Sequence, residues 1–222
     1  MTRFSFVRHG QTDWNRWMRF QGQADPPLNA TGMDQATRLA RRLLAQEPPP
    51  DLLISSDLQR ARQTAQPLVD GWGCPLQLDA GFREQSFGCL EGLTAEQVQA
   101  QYPQLWQGWL TQAADFALPD GGESLASFSA RVLGRAKAWA QAQAADHIMV
   151  VTHGGVLDML WRAAHRLPLD GLRQCEIPNT GINRLRWVDG VLEIETWADA
   201  AHLSEAAAKI CRPPADSSAD SA

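Results

Sequence analysis

Lysine is nearly missing from this 222-residue chain: only Lys137 and Lys209 occur, and arginine supplies the rest of the basic charge. No basic run exists, and the formal net charge is −5. Nucleic-acid binding relies on clustered Lys and Arg, so that partner class is excluded. An anionic ligand would need a local cationic pocket, because the overall charge repels it. Long apolar runs are missing too. The stretches present are short and broken by charge, far below the roughly 20 residues of a membrane span. The start, Met1-Thr2-Arg3-Phe4-Ser5, lacks the apolar stretch of a secretion signal. These absences predict a soluble cytoplasmic protein with no membrane partner. Cysteine is scarce and scattered. Cys74, Cys89, Cys175 and Cys211 form no C-x-x-C pair and read as reduced, structural thiols. The five histidines show neither H-x-H nor H-E-x-x-H spacing, which predicts no metal site. No G-x-x-x-x-G-K-[ST] segment occurs, which removes the P-loop nucleotide hydrolases.

Hydrophobic residues make up 44% of the chain, enough to bury a sizeable core in one domain. We assign residues 1–212 to that domain and read the Ser/Asp/Ala-rich stretch 213–222 as a disordered tail. Phe4-Ser5-Phe6-Val7 marks a buried strand over 3–8. Thr31, with Asp34 close behind it, predicts a capped helix to about Gln46. Ala36, Leu39, Ala40, Leu43 and Leu44 recur there at helical spacing, and Pro48-Pro49-Pro50 stops the helix. A strand over 51–55 follows, then a helix capped by Asp57 and ended by Gly71 and Gly73, then a short strand over 76–78. The alternation predicts βαβ units and a largely parallel sheet. It fails between about 81 and 122, where 93–101 and 103–112 look like two short helices of a cap insertion carrying Trp106 and Trp109. A helix over 123–144, a β-branched strand over 147–152 and a helix opened by Gly154-Gly155 come next. Asp189-Gly190 predicts a hairpin between 183–188 and 191–197.

Arg8-His9-Gly10 leaves the first strand. An imidazole can attack phosphorus, a guanidinium can bind the anion, and a glycine leaves room for the phosphate to approach. Alone, the tripeptide is unspecific. Three segments then follow in order: Ser55-Ser56-Asp57-Leu58-Gln59-Arg60-Ala61-Arg62-Gln63-Thr64-Ala65, Arg83-Glu84-Gln85-Ser86-Phe87-Gly88, and Thr152-His153-Gly154-Gly155. Ligands of open parallel sheets sit beyond the carboxyl ends of the strands. His9, Ser55-Ser56 and His153 all fall at such ends, so two histidines far apart in the chain can share one crevice. Plainer roles exist for each residue. His153 can bond to backbone, Arg60 can be a surface charge, and Glu91 lies close enough to compete with Glu84. Trp14, Trp17, Trp106 and Trp109 read first as packing.

The ordered set resembles the histidine phosphatase superfamily, the group that includes the cofactor-dependent phosphoglycerate mutases. The match runs over about residues 3–186. It includes Val7-Arg8-His9-Gly10-Gln11-Thr12-Asp13-Trp14-Asn15 and Gln21-Gly22-Gln23-Ala24-Asp25-Pro26-Pro27-Leu28-Asn29-Ala30-Thr31-Gly32. The resemblance implies an α/β fold, a three-layer sandwich whose mainly parallel sheet is flanked by helices, with a small helical cap. It implies that His9 attacks phosphorus and becomes a phosphohistidine, with no metal and no cofactor. Arg8, Arg60 and His153 would hold the phosphoryl oxygens, and Asn15 would add a neutral donor. Gln21 and Gly22 would touch the substrate. Glu84 would protonate the leaving alkoxide and then activate water, a role that requires a protonated start and a raised pKa. His9 must be neutral to attack. Arg8 and Arg60 would lower its pKa, and a carbonyl on its other ring nitrogen would fix the tautomer.

Two departures bear on the reaction. In the mutase pattern a basic residue follows the acid, and a lysine lies near the end of the adjoining Gly-Leu segment. Here Gln85 follows Glu84, and Gly92-Leu93 runs into Thr94-Ala95-Glu96. Residues 99–117 contain no Lys or Arg. These features favour a phosphomonoester phosphatase, whose partner is a small-molecule phosphate ester, over a phosphoglycerate mutase. A noncatalytic phosphate-binding module would have lost its nucleophile or cations, yet His9, Arg60, Glu84 and His153 are all present. The sequence leaves the natural substrate open, and also the oligomeric state, a homodimer included.

Overall fold

In the computed structural model, which describes residues 1–111, 113–142 and 145–204, the chain begins with β1 (Thr2–Arg8), α1 (Asp13–Arg16), α2 (Ala30–Gln46) and β2 (Leu52–Ser55). It continues with α3 (Gln59–Trp72), β3 (Leu76–Leu78), α4 (Ala95–Gln101), α5 (Pro103–Thr111) and α6 (Leu125–Gln141). It closes with β4 (His147–Thr152), α7 (Gly154–His165), β5 (Ile182–Val188) and β6 (Val191–Asp199). One sheet runs in the order β3-β2-β4-β1-β5-β6. The pairings among β1 to β4 are all parallel, while β5 and β6 add an antiparallel hairpin at one edge. Positive φ at both Asp189 (48°) and Gly190 (87°) makes that hairpin turn, as expected of Asp-Gly.

The central strands are apolar on both faces because both faces are covered. Phe4 and Phe6 of β1 stand in register with Ile148 and Val150 of β4. All four pack with Phe128 and Val132 of α6 and Val156 and Leu160 of α7. On the other face Val7, Met149 and Val151 pack with Leu39 and Leu43 of α2 and Ala61 and Leu68 of α3. Helices on both faces of the sheet make the three-layer α/β sandwich. Cutting any of these leucines to alanine would cost about 2–5 kcal/mol. A third, smaller cluster has Leu90, Val98 and Leu118 surrounded by Phe20, Phe87, Trp106 and Trp109. Among the described residues, no helix is long and apolar enough to cross a membrane.

The element ends differ from expectation where distant partners intervene. Asn29, not Thr31, caps α2, and its side chain accepts from Gly32 N at 2.9 Å. Its own N–H is held by the Gln11 carbonyl at 3.0 Å, which fixes the turn two residues earlier. Asp57 does not cap α3, because its carboxylate is engaged by Arg83. Asp25 supplies the missing acceptor instead, taking Gln59 N at 2.6 Å from across the structure. Gly71 lies within α3, and Gly73 ends it at φ 65°. Ser124 caps α6, which ends at Gln141. Residues 143–144 of that expected helix, Cys211 and the tail 213–222 lie outside the described residues. Cys74, Cys89 and Cys175 are free.

Candidate active site

Parallel pairing of β1 with β4 sets Arg8 opposite Thr152. The next residue of each strand, His9 and His153, therefore leaves the sheet beside the other. His9 N donates to Thr152 O at 2.8 Å, and the two ring centroids stand 5.2 Å apart. Both residues are buried, at 2% and 0% exposure. His9 Nδ1 lies 2.7 Å from Gly10 O. A carbonyl only accepts, so Nδ1 carries the proton and Nε2 keeps its lone pair. Burial, then the charges of Arg60 and Arg8, push the His9 pKa well below the usual imidazole value. The ring is thus neutral at pH 7, with Nε2 available as a nucleophile. His153 is neutral for similar reasons, burial first and Arg60 second. Its Nε2 meets Ser56 Oγ at 2.8 Å, and its Nδ1 is buried without a partner.

The cations are held by carbonyls rather than carboxylates. Arg60, fully buried on α3, donates Nη1 to Ala24 O and Nη2 to Gly22 O, each at 2.7 Å. Arg8 donates Nη1 to Ile177 O at 2.6 Å. Each keeps a buried, unpartnered Nε. Among the described residues neither forms an ion pair with an acidic side chain. Burial lowers both pKa values to about 10, so both remain charged at pH 7. Keeping a buried charge unpaired costs several kcal/mol, an arrangement that suits an incoming anion.

Glu84 lies in the segment between β3 and α4. Its Oε2 accepts from Gly155 N at 3.0 Å, in the first turn of α7, and its Oε1 accepts from Gln85 N at 2.9 Å. Arg131 of α6 holds this segment through Gly81 O and Arg83 O at 3.0 Å and Glu84 O at 3.1 Å. Arg83 itself turns away to pair with Asp57. Glu91 is not a second acid at the site. Its carboxylate accepts from Gln23 N (2.8 Å), Ala24 N (2.7 Å) and Phe87 N (3.0 Å). It thereby fixes the turn whose carbonyls hold Arg60.

Gly22 thus meets Arg60 through its backbone carbonyl. Its φ is 51°, and a Cβ there would strike Glu91 Oε1 at 2.1 Å. Asn15 and Gln21 are joined to each other through Thr12. Asn15 Oδ1 accepts from Thr12 N at 3.0 Å, and Gln21 Oε1 accepts from Thr12 Oγ1 at 2.9 Å. Neither hydrogen-bonds to His9, Arg8, Arg60 or His153, so their observed work is shaping the loop. Gly10 is also needed for close packing against another element. A Cβ there would meet Gly32 O at 2.6 Å, so the glycine admits the start of α2. Sequence reasoning grouped Ser55-Ser56 with the two histidines without giving Ser56 a role, and it missed Asn179 and Arg131. Asn179 Nδ2 donates to His9 O at 2.8 Å, and Thr180 N to Arg8 O at 2.9 Å, which clamps the Arg8-His9 backbone. The Pro178-Asn179-Thr180-Gly181 run was the available signal, since such residues mark a tight turn.

A neutral nitrogen nucleophile set among guanidiniums is equipment for phosphoryl transfer, and the scaffold that carries it defines an enzyme of phosphate esters. The chain belongs to the histidine phosphatase superfamily, branch 1, whose family model matches residues 4–200. A metal-independent phosphoserine phosphatase of Arabidopsis thaliana is 31% identical over 205 residues, covering 92% of this chain and 84% of that protein. Phosphoglycerate mutase-like protein 4 of the same plant is 35% identical over 202 residues, covering 90% and 86%. Among solved structures, Bacillus stearothermophilus YhfR superposes with a TM-score of 0.82 at 29% identity, covering 92% of this chain and all of that one.

Proposed function

We propose that this protein is a phosphomonoester phosphatase that works through a phosphohistidine at His9 Nε2. The directed lone pair of a neutral His9 is the observation that carries the reading. In the first step Nε2 bonds to phosphorus while the ester P–O bond breaks, and Glu84 gives its proton to the departing alkoxide. In the second, water attacks the phosphohistidine, Glu84 takes a proton from it, and the P–N bond breaks to return the lone pair to Nε2. Arg8, Arg60 and His153 hold the phosphoryl oxygens through both steps. Each such contact supplies about 3 kcal/mol of transition-state stabilisation. Asn15 Nδ2 is free of the loop's hydrogen bonds and serves as a further donor.

Hydrolysis is favoured over mutase chemistry by charge. A mutase must grip a carboxylate and a second phosphate and exclude water. The cap segment 99–117 offers no Lys or Arg for that, and Gln85 replaces the expected base. Both phosphatase and mutase-like names occur among the relatives, so the products decide. The reading includes a cytoplasmic location, supported by scattered free thiols, and a mechanism without a metal. The test is product analysis on a panel of phosphorylated metabolites, with EDTA present and absent. Inorganic phosphate at full rate in EDTA is expected. Phosphoryl transfer to a second metabolite would establish the mutase, and activity restored only by metal would overturn the mechanism.

A further inference from the structure

We propose that Ser56 is a positioning residue: its hydroxyl donates to His153 Nε2 and so fixes the tautomer that leaves His153 an N–H for the phosphoryl group. The inference rests on the phosphatase reading and deepens it by assigning how His153 is made a donor. Ser56 reaches the site by the same route as the histidines. β2 pairs with β4 in parallel, with Ser55 opposite Val151. Ser56 N then donates to Val151 O at 2.9 Å, and Ser56 leaves β2 as His153 leaves β4. Both residues are fully buried.

A serine hydroxyl has one proton to give and two lone pairs that receive. Leu58 N donates to Ser56 Oγ at 3.3 Å and occupies one lone pair. Among the described residues, the one other partner of that oxygen is His153 Nε2, at 2.8 Å. If Nε2 carried the ring proton, it would donate to Oγ and leave the hydroxyl proton buried with no acceptor. If Nε2 carries a lone pair, the hydroxyl donates to it and the serine is satisfied throughout, its carbonyl already accepting from Ser55 Oγ at 2.7 Å. The cost of leaving a buried donor unpaired selects the second arrangement. A neutral ring has one proton, which therefore sits on Nδ1.

Nδ1 is the ring's only other polar atom, so it is the atom with which His153 can hold a phosphoryl oxygen. It is buried without a partner, as are Arg8 Nε and Arg60 Nε, and the charges of both arginines act on His153. With the proton on Nδ1 all three of these atoms are donors. With the proton on Nε2, a lone pair would stand in that set and repel the oxygen. The neighbouring imidazoles, 5.2 Å apart, thus share a tautomer and expose opposite ends of it. His9 spends its Nδ1–H on the Gly10 carbonyl and keeps a free lone pair. His153 spends its lone pair on the Ser56 hydroxyl and keeps a free N–H.

The test is long-range proton–nitrogen NMR of the full chain labelled with nitrogen-15 at histidine, at neutral pH. The His153 signals are those lost in His153→Gln. In the wild type, Nδ1 should resonate as a protonated imidazole nitrogen and Nε2 as an unprotonated one. Inorganic phosphate should move the Nδ1 proton downfield and leave Nε2 unprotonated. In Ser56→Ala the Nδ1–H population should fall, and kcat/KM for p-nitrophenyl phosphate should fall with it, roughly twofold to fivefold, because only that fraction of the enzyme is competent. A wild-type His153 protonated on Nε2 overturns the proposal, and that spectrum decides even if Ser56→Ala does not fold. So does a folded Ser56→Ala whose His153 signals match the wild type. Absence of p-nitrophenyl phosphate turnover by a wild type with the expected spectrum would instead refute the phosphatase reading.

Discussion

An alanine at position 155 would place its Cβ 2.1 Å from Glu84 Oε1 and 3.0 Å from Phe128 Cε1. Both distances lie inside van der Waals contact, and the ring beside it leaves the methyl no retreat. The carboxylate must therefore back away by about 1 Å and lose its bond to Gly155 N, a displacement that can cost about a hundredfold in rate for a group that must meet a reacting atom. That factor corresponds to about 2.7 kcal/mol of barrier. The fold should feel little. Alanine for glycine in a helix gains about 1 kcal/mol, which offsets a lost hydrogen bond of about the same size. The assay is kcat/KM for an alkyl phosphate and for p-nitrophenyl phosphate in Gly155→Ala, with the melting temperature of each protein. The alkyl ester, whose alkoxide needs a proton to leave, should lose about a hundredfold, and the aryl ester clearly less. Equal losses on both esters, or full activity on the alkyl one, would refute Glu84 as the acid placed by this glycine.

Other perturbations test other parts of the account. Glu91→Gln leaves an amide where three backbone N–H groups converge, and loosens the turn that holds Arg60. It should weaken inhibition by inorganic phosphate about tenfold while Glu91→Asp recovers part of it, since a charged hydrogen bond is worth about 1.5–3 kcal/mol; unchanged inhibition would show that Arg60 is positioned without Glu91. Stability should fall on acidification. His202 is held down to about 4 by burial and then by Arg42, and His9, His153 and His147 are lowered as well. Below the ordinary value near 6.5 the unfolded chain binds protons that the native one refuses, so the loss begins there and, for His202 alone, reaches about 3 kcal/mol near pH 4. Urea unfolding at pH 7.5 and pH 5 checks the sign; greater stability at pH 5 would contradict it.

The parts of the molecule legible in the sequence are those fixed by local pattern. The run Ile148–Val151 is apolar, with three of its four residues β-branched, and β4 has the expected bounds His147–Thr152. Asp189-Gly190 suits only a tight hairpin. His9 and His153 were readable as neighbours because both follow buried strands, and strand ends converge in a parallel sheet. Features set by distant contacts were not legible. Asp57 has the chemistry of a helix cap, but Arg83 claims it, and the acceptor at the start of α3 comes from Asp25. Asn29 and Thr31 are both residue types that cap helices, and the bond from Asn29 N to Gln11 O helps to set the start at Asn29. Glu91 and Glu84 look alike in the chain. Only their partners, loop N–H groups for one and the α7 terminus for the other, assign different work. The packing of Gly10 against Gly32 was not legible because that neighbour belongs to another element.

The central claim is that a neutral His9 takes the phosphoryl group on Nε2. Rapid quenching during turnover of p-nitrophenyl phosphate, followed by peptide mapping under alkaline conditions, measures this most directly. The account predicts an acid-labile phosphoryl group on the peptide containing His9, bonded at Nε2, and none in His9→Ala. A phosphoryl group on any other residue, or steady turnover by His9→Ala, would contradict it.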